Sequence, residues 1–231
     1  LLLAAFIAHL YMAWNIGAND VANCMATSVA SKAISMRGAL FLAAVLAVVG
    51  AVFVGEHVAG TIRKGIVDPM AFEGNPDAFV VGMFAALLSA GIWVMIATYF
   101  GMPVSTTHSI VGALVGFGIV AGGFSSVKWG MLGKVVLSWV VAPAFGGIIG
   151  FLVFSYIQWK IINAPNPSRA VKRHGPYLVF CVFALISMSI IYKGLKNLHL
   201  DLPLWEALLS SLGAGGVAMG VVRESIKSLP E

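Results

Sequence analysis

Between Ala78 and Val127 the chain runs for 50 residues without a single Asp, Glu, Lys or Arg. Soluble domains carry about 25% charged residues, so such a run cannot form the surface of one. A helix needs roughly 20 apolar residues to cross the hydrocarbon core. The run must therefore cross or re-enter a bilayer at least twice. The rest of the chain agrees: of its 231 residues 60% are hydrophobic and 10% charged. The expectation is an all-α, polytopic membrane helix bundle, a multi-pass protein of the cell membrane. The net charge of +5 does not point to nucleic acid, because the basic residues sit in short clusters between apolar segments, as loop charges that orient helices do.

Apolar segments fall at about 1–31, 38–62, 78–100, 107–123, 135–159, 176–192 and 203–222. Strands of a membrane barrel would show about ten residues of in–out alternation, which these lack. The opening Leu1-Leu2-Leu3 has no basic stretch before it and reads as part of a first membrane helix rather than a signal peptide. Cys24 and Cys181 lie singly in apolar stretches and read as packing residues, not a disulfide or metal pair. Whether 78–123 spans twice or re-enters as a hairpin, it returns the chain to the side it left. One side then receives Lys32, Arg37, Lys160, Arg169, Lys172, Arg173, Arg223 and Lys227. The other receives Arg63, Lys64, Lys128, Lys134, Lys193 and Lys196, diluted by Asp68, Glu73, Asp77, Asp201 and Glu206. This bias places the first side in the cytoplasm, with the N-terminus outside and an odd number of crossings. An odd-crossing unit is what an inverted-repeat transporter requires.

Two segments are interrupted by polar residues. In the first, Asn15, Asn19 and Asn23 are spaced by four and share one helix face, with Asp20 beside them. An ionised carboxylate at membrane depth is costly and usually marks an ion path. Amide and carboxylate oxygens suit small hard cations. Gly17 could let this helix open and present backbone carbonyls, so a broken first helix is expected. The second interruption is Gly101-Met102-Pro103-Val104-Ser105-Thr106-Thr107-His108. Pro103 should end a helix, and Ser105, Thr106 and Thr107 should cap a new one near His108, making a mid-membrane helical hairpin. A helix starting at mid-depth offers unpaired N–H groups and a positive dipole end to an anion. No Lys or Arg lies between Lys64 and Lys128, so an anion there has no fixed positive side chain. Two unit charges about 4 Å apart interact by roughly 4 kcal/mol at an effective dielectric near 20. A dianion near Asp20 is repelled unless cations intervene, which couples the two sites. Protonation of Asp20 would supply part of the same effect.

The stretches Gly17-Ala18-Asn19-Asp20-Val21-Ala22-Asn23, Thr61-Ile62-Arg63-Lys64-Gly65-Ile66-Val67-Asp68 and Pro103-Val104-Ser105-Thr106-Thr107-His108 closely resemble the inorganic phosphate transporter (PiT) family. The resemblance implies cation-coupled symport of inorganic phosphate by alternating access, with sodium or, in some bacterial members, protons as the coupling ion. It implies two inverted halves with phosphate between them, and a homodimer. Carried over singly, Asn19, Asp20 and Asn23 would serve sodium, and Ser105, Thr106 and Thr107 would touch phosphate. No cofactor beyond these transported ions is implied, and no enzymatic step. The chain departs from the family at Ala47, where a glutamate is usual, with Glu56 nine residues further on. It also holds one copy of each signature, as the first half of a longer transporter would. The expected organisation is a transport repeat at 1–159, with the cation cluster at 15–23 and the phosphate hairpin near 101–123. Additional membrane helices at 160–231 would lead to a central cytoplasmic linker. The same residues would also serve a permease for another tetrahedral oxyanion, an anion channel, or a non-transporting half-transporter subunit.

Among the remaining features, Gly112 and Gly116, Gly146 and Gly150, and Gly216 and Gly220 have the spacing that permits close helix contact. Trp129, Trp159 and Trp205 lie near segment ends, where interfacial anchors belong. Residues 163–175 read as a polar loop whose charge fixes topology or meets acidic headgroups.

Overall fold

The computed structural model describes residues 2–194 and 202–228, the side chains of 53–64 and of 193–194 excepted. Lys196 and Asp201, and the side chains of Glu56, Arg63, Lys64 and Lys193, therefore lie outside what is described. Among the described residues seven α-helices follow one another: α1 (Leu2–Ala30), α2 (Met36–Gly65), α3 (Pro76–Tyr99), α4 (Thr106–Phe117), α5 (Trp129–Ile157), α6 (Pro167–Ser189) and α7 (Leu204–Ser225). The fold is all-helical among the described residues, save one isolated antiparallel bridge between Val67 and Val127. Four stretches there, Pro76–Tyr99, Trp129–Ile162, Pro167–Tyr192 and Leu204–Ser225, are long and apolar enough to cross a membrane. This is a multi-pass membrane protein.

Helix starts follow local side-chain chemistry. Asn75 and Asn166 each accept a hydrogen bond from the amide three residues on, Ala78 at 3.1 Å and Arg169 at 3.0 Å. Each is followed by a proline, whose missing N–H costs nothing in a first turn. The Asn166–Pro167 start makes residues 167–175 helical instead of the expected polar loop. Ser35 caps α2 through the Gly38 amide.

Packing divides the chain into two compact units, Leu1–Ala51 with His57–Val135, and Val52–Glu56 with Val136–Glu231. This is a partition of packing and differs from the division of roles at 159/160 expected from the sequence. In the first unit α1 and α3 run in the same direction. Met12, Ala90 and Val94 form a buried cluster, against which Ile16, Leu87, Val104, Ile110 and Ala113 pack. The hairpin α3–α4 closes at its foot around Phe117, whose ring stacks on Phe72 at 5.2 Å and meets Phe79 at 6.1 Å. Beyond α4 a π-turn, Gly118–Gly122, leads to Gly123 (φ +79°) and a short 3-10 turn at Phe124–Ser126. The Asp68 amide then donates to Ser126 O at 2.8 Å and the Lys128 amide to Ile66 O at 2.9 Å. Lys128 and Asp68 form an ion pair at 3.4 Å. Both ends of the hairpin are thus tied together, as a segment returning to its side of entry requires.

In the second unit α6 and α7 pack closely where Gly215 faces α6; a Cβ there would lie 2.9 Å from Phe180 O and 3.1 Å from Ala184 Cβ. Tyr156 O–H and His174 Nδ1 are hydrogen-bonded at 2.7 Å. Trp129, Trp159 and Trp205 are exposed at or beside helix ends, where interfacial anchors belong, and Lys160 Nζ lies 3.7 Å over the Trp159 ring.

Three further expectations are corrected. First, α1 is unbroken from Leu2 to Ala30, and Gly17 opens no carbonyls. Second, none of the six paired glycines (Gly112, Gly116, Gly146, Gly150, Gly216, Gly220) is within 4 Å of a neighbour at its Cβ position. Close approach falls instead on Gly82, Gly91, Gly118, Gly122 and Gly215, because spacing does not say which face of a helix meets another. Third, Cys24 and Cys181 are free and exposed rather than packed in a core.

Candidate functional site

The site forms where the tip of the α3–α4 hairpin meets α1. The end of α3 is set by Gly101, whose φ of +68° is the left-handed geometry that closes a helix. Its amide donates to Thr98 O at 3.0 Å, and the Met102 amide donates to Ala97 O at 2.8 Å, the paired bonds of a Schellman C-terminus. The helix therefore ends at Tyr99, earlier than Pro103 alone predicts, because the glycine turns the chain first. Pro103 prevents any resumption, and Ser105 then starts α4 by accepting from the His108 amide at 3.2 Å.

The break leaves Met102 C=O and Val104 N–H on either side of a proline that has no N–H of its own. An unsatisfied buried polar group costs roughly 1–3 kcal/mol, and more in lipid, where no water can substitute. Asn19 of α1 supplies both partners. Its Nδ2 donates to Met102 O at 3.1 Å and to Thr98 Oγ1 at 3.0 Å. Its Oδ1 accepts from the Val104 amide at 3.2 Å and from Asn23 Nδ2 at 3.4 Å. Thr98 in turn donates to Val94 O at 2.7 Å. Asn19 is only 5% exposed. One residue on, Asp20 Oδ2 accepts from Thr106 Oγ1 at 3.3 Å. Because these partners come from the hairpin, α1 has no need to open its own backbone.

Among the sequence-derived site residues, Asn19, Asp20, Asn23 and Thr106 are brought together directly. Ser105 and Thr107 flank Thr106 at the start of α4 and are exposed, as is Asn23, while Asp20 and Thr106 are half-buried. Asn15 does not join them: it is buried and donates to Tyr11 O of its own helix at 2.8 Å. Ala47 is exposed on α2. Thr98, the Met102 carbonyl and the Val104 amide are members of the site that sequence reading missed; a lone threonine inside an apolar helix gives no signal. Asp20 has no basic partner within 4 Å among the described residues, where the ion pairs are Lys128–Asp68 and Lys227–Glu224. No group of three or more His, Cys, Asp or Glu side chains forms a metal cluster there either.

Depth follows from helix arithmetic. Asn19 lies 11 residues before Ala30, or about 16 Å at 1.5 Å per residue. With Ala30 at the membrane surface, Asn19 would lie close to the middle of a hydrocarbon core about 30 Å thick. α4 and the π-turn that continues it, Thr106–Gly122, reach only about 25 Å, too short to cross that core. The first-turn N–H groups of α4 carry the positive end of the helix dipole. Ser105 takes the His108 amide, which leaves the Thr106 and Thr107 amides at that end.

The geometry defines a class: a multi-pass helical membrane protein with a polar site where an intact helix grips the tip of a hairpin. The model of the phosphate transporter family matches residues 16–225, and the chain belongs to that family. It is 46% identical over 223 residues to the inorganic phosphate transporter 2-1, chloroplastic, of Arabidopsis thaliana, covering 96% of this chain and 37% of that protein. It superimposes on a solved structure described as a sodium-dependent phosphate transporter with a TM-score of 0.90 and 39% identity. That match covers 99% of this chain and 55% of the other. The chain thus spans roughly half or less of the length of these relatives.

Proposed function

We propose that this protein carries inorganic phosphate across the membrane by alternating access, coupled to sodium, and that no enzymatic step is involved. The observation that carries the reading is the 3.3 Å contact between Thr106 Oγ1 and Asp20 Oδ2. It joins an acidic, amide-rich helix face to the N-terminus of a helix that starts at mid-depth. An anion at Ser105, Thr106 and Thr107 meets N–H and O–H donors, and no Lys or Arg lies in the sequence between Lys64 and Lys128. The Asp20 carboxylate alongside repels it by several kcal/mol at an effective dielectric near 20. A cation held at the Asp20 carboxylate beside Asn23 reverses the sign of that interaction, so each ion favours the other's binding. The hard oxygens of Asp20 and Asn23 suit sodium. The sodium dependence in the description of the superimposed structure supports the same choice over a proton.

In this reading residues 1–159 are the transport repeat and 160–231 are accessory membrane helices. A second inverted half completes the phosphate site, and the assembly is a homodimer; these partners rest on the family resemblance.

The test is uptake of radiolabelled phosphate into proteoliposomes with and without an inward sodium gradient. Accumulation that follows the sodium gradient is expected. Accumulation that follows only a proton gradient would reassign the coupling ion, and uphill uptake with neither gradient would defeat the symport reading. Conduction that never accumulates phosphate would mark a channel, and preferential uptake of sulfate would mark another oxyanion. A hydrogen bond to a charged partner contributes about 1.5–3 kcal/mol, or about 10- to 100-fold in affinity. Thr107→Val is therefore expected to raise the half-saturating phosphate concentration by at least about tenfold. Unchanged values in both Thr106→Val and Thr107→Val would move the anion site elsewhere.

A further inference from the structure

We propose that Asn19 is a positioning residue of the phosphate hairpin, with Thr98 as its partner, and that its carboxamide serves the hairpin rather than the cation. This rests on the phosphate reading above and assigns a division of labour within it. A carboxamide has two N–H donors and two acceptor positions on its oxygen. At Asn19 all four are in use, on Thr98, Met102, Val104 and Asn23. A cation on Asn19 Oδ1 would have to displace the Val104 amide or the Asn23 amide.

The side chain acts as a substitute peptide group. It pairs with the carbonyl before Pro103 and with the amide after it, as a neighbouring strand would. The residue that follows Val104 is Ser105, the cap that starts α4, so fixing Val104 fixes the direction in which Ser105, Thr106 and Thr107 are presented. Asp20 and Asn23, in contrast, have oxygens left over for a cation. Phosphate affinity is thereby set by Asn19 and Thr98, neither of which touches phosphate, and sodium affinity by Asp20 and Asn23.

Asn19→Leu separates the two roles. A nearly isosteric apolar side chain has no N–H for Thr98 or for Met102 O and no oxygen for the Val104 amide, so the clamp fails while the charge of the site and the oxygens of Asp20 and Asn23 are kept. Thr98→Val removes the hydroxyl at nearly constant volume, and Thr98→Ser restores it. The reconstituted protein is assayed for phosphate uptake against phosphate at saturating sodium, and against sodium at saturating phosphate. Asn19→Leu and Thr98→Val are expected to raise half-saturating phosphate about tenfold or more with less than a twofold change for sodium. Thr98→Ser should return phosphate to near the original value. A rise in half-saturating sodium with phosphate unchanged would overturn the proposal and make Asn19 a cation ligand; no change in either would overturn it as well.

Hydrogen exchange reads the clamp without transport. Protection of the Val104 amide should fall in Asn19→Leu, which removes its acceptor, and in Thr98→Val, and persist in Thr98→Ser. Equal protection in all four proteins would sink the clamp even if transport were sodium-driven. Lost protection in a protein that does not carry phosphate would keep the clamp and reject the transport reading.

Discussion

Asp20→Asn is expected to abolish sodium-dependent phosphate uptake while leaving the protein inserted and folded. The substitution is nearly isosteric, and the new side chain can still accept from Thr106 Oγ1, which now lies 3.3 Å from Asp20 Oδ2. The change that matters is the charge. A unit charge about 4 Å from a cation is worth roughly 4 kcal/mol at an effective dielectric near 20, or nearly three decades in affinity. Uptake at a fixed sodium concentration should fall by on the order of 100-fold or more. Phosphate alone should not rescue it, since the anion needs the cation as much as the reverse. Uptake assayed beside a measurement of membrane-inserted protein separates loss of coupling from loss of folding. A mutant that retained the original sodium dependence would remove Asp20 from the mechanism.

The second large effect is expected at the hairpin foot. A Cβ on Gly82 would lie 1.8 Å from Cε2 and 2.2 Å from Cδ2 of Phe117. The ring has little room to swing away, because it is stacked on Phe72 at 5.2 Å and sits 6.1 Å from Phe79. Overpacking of this kind costs about 1–3 kcal/mol, against a gain of about 1 kcal/mol in helix propensity for Gly→Ala. Gly82→Ala should lower the thermal midpoint in detergent, and adding Phe117→Ala should relieve the clash. The double mutant is expected to be more stable than the sum of the single changes by about 1 kcal/mol or more. Strict additivity would show that the two residues do not share the contact.

The two polar interruptions were legible in the sequence because asparagine, aspartate and hydroxyl residues inside an apolar run stand out against lipid. The start of α4 at Ser105–Thr106 was legible for the same reason that caps are: the chemistry is local. The charge argument set them side by side, but the contacts that join them were not legible, since Asn19 and Val104 are 85 positions apart in sequence. That distance also explains the error about the first helix. Polar residues at Asn15–Asn23 suggested a helix that opens, yet the partners they need come from the hairpin. Thr98 was invisible because it is an ordinary residue of an apolar helix until its neighbour on α1 is known. The paired glycines misled because a repeat of small residues records spacing, whereas contact depends on which face is turned inward.

The tie between Val67 and Val127 has a mechanical consequence. With its foot fastened beside Asp68 and Lys128, the hairpin is a lever with a fixed fulcrum. The 17 residues from Thr106 to Gly122 make an arm of about 25 Å at 1.5 Å per residue. A tilt of only about 5° at the fulcrum would carry the tip about 2 Å, enough to pull apart contacts of 3.0–3.2 Å. The anchorage that gives the protein its rigidity at one face is also what would let a small rotation be felt as release in the middle of the membrane.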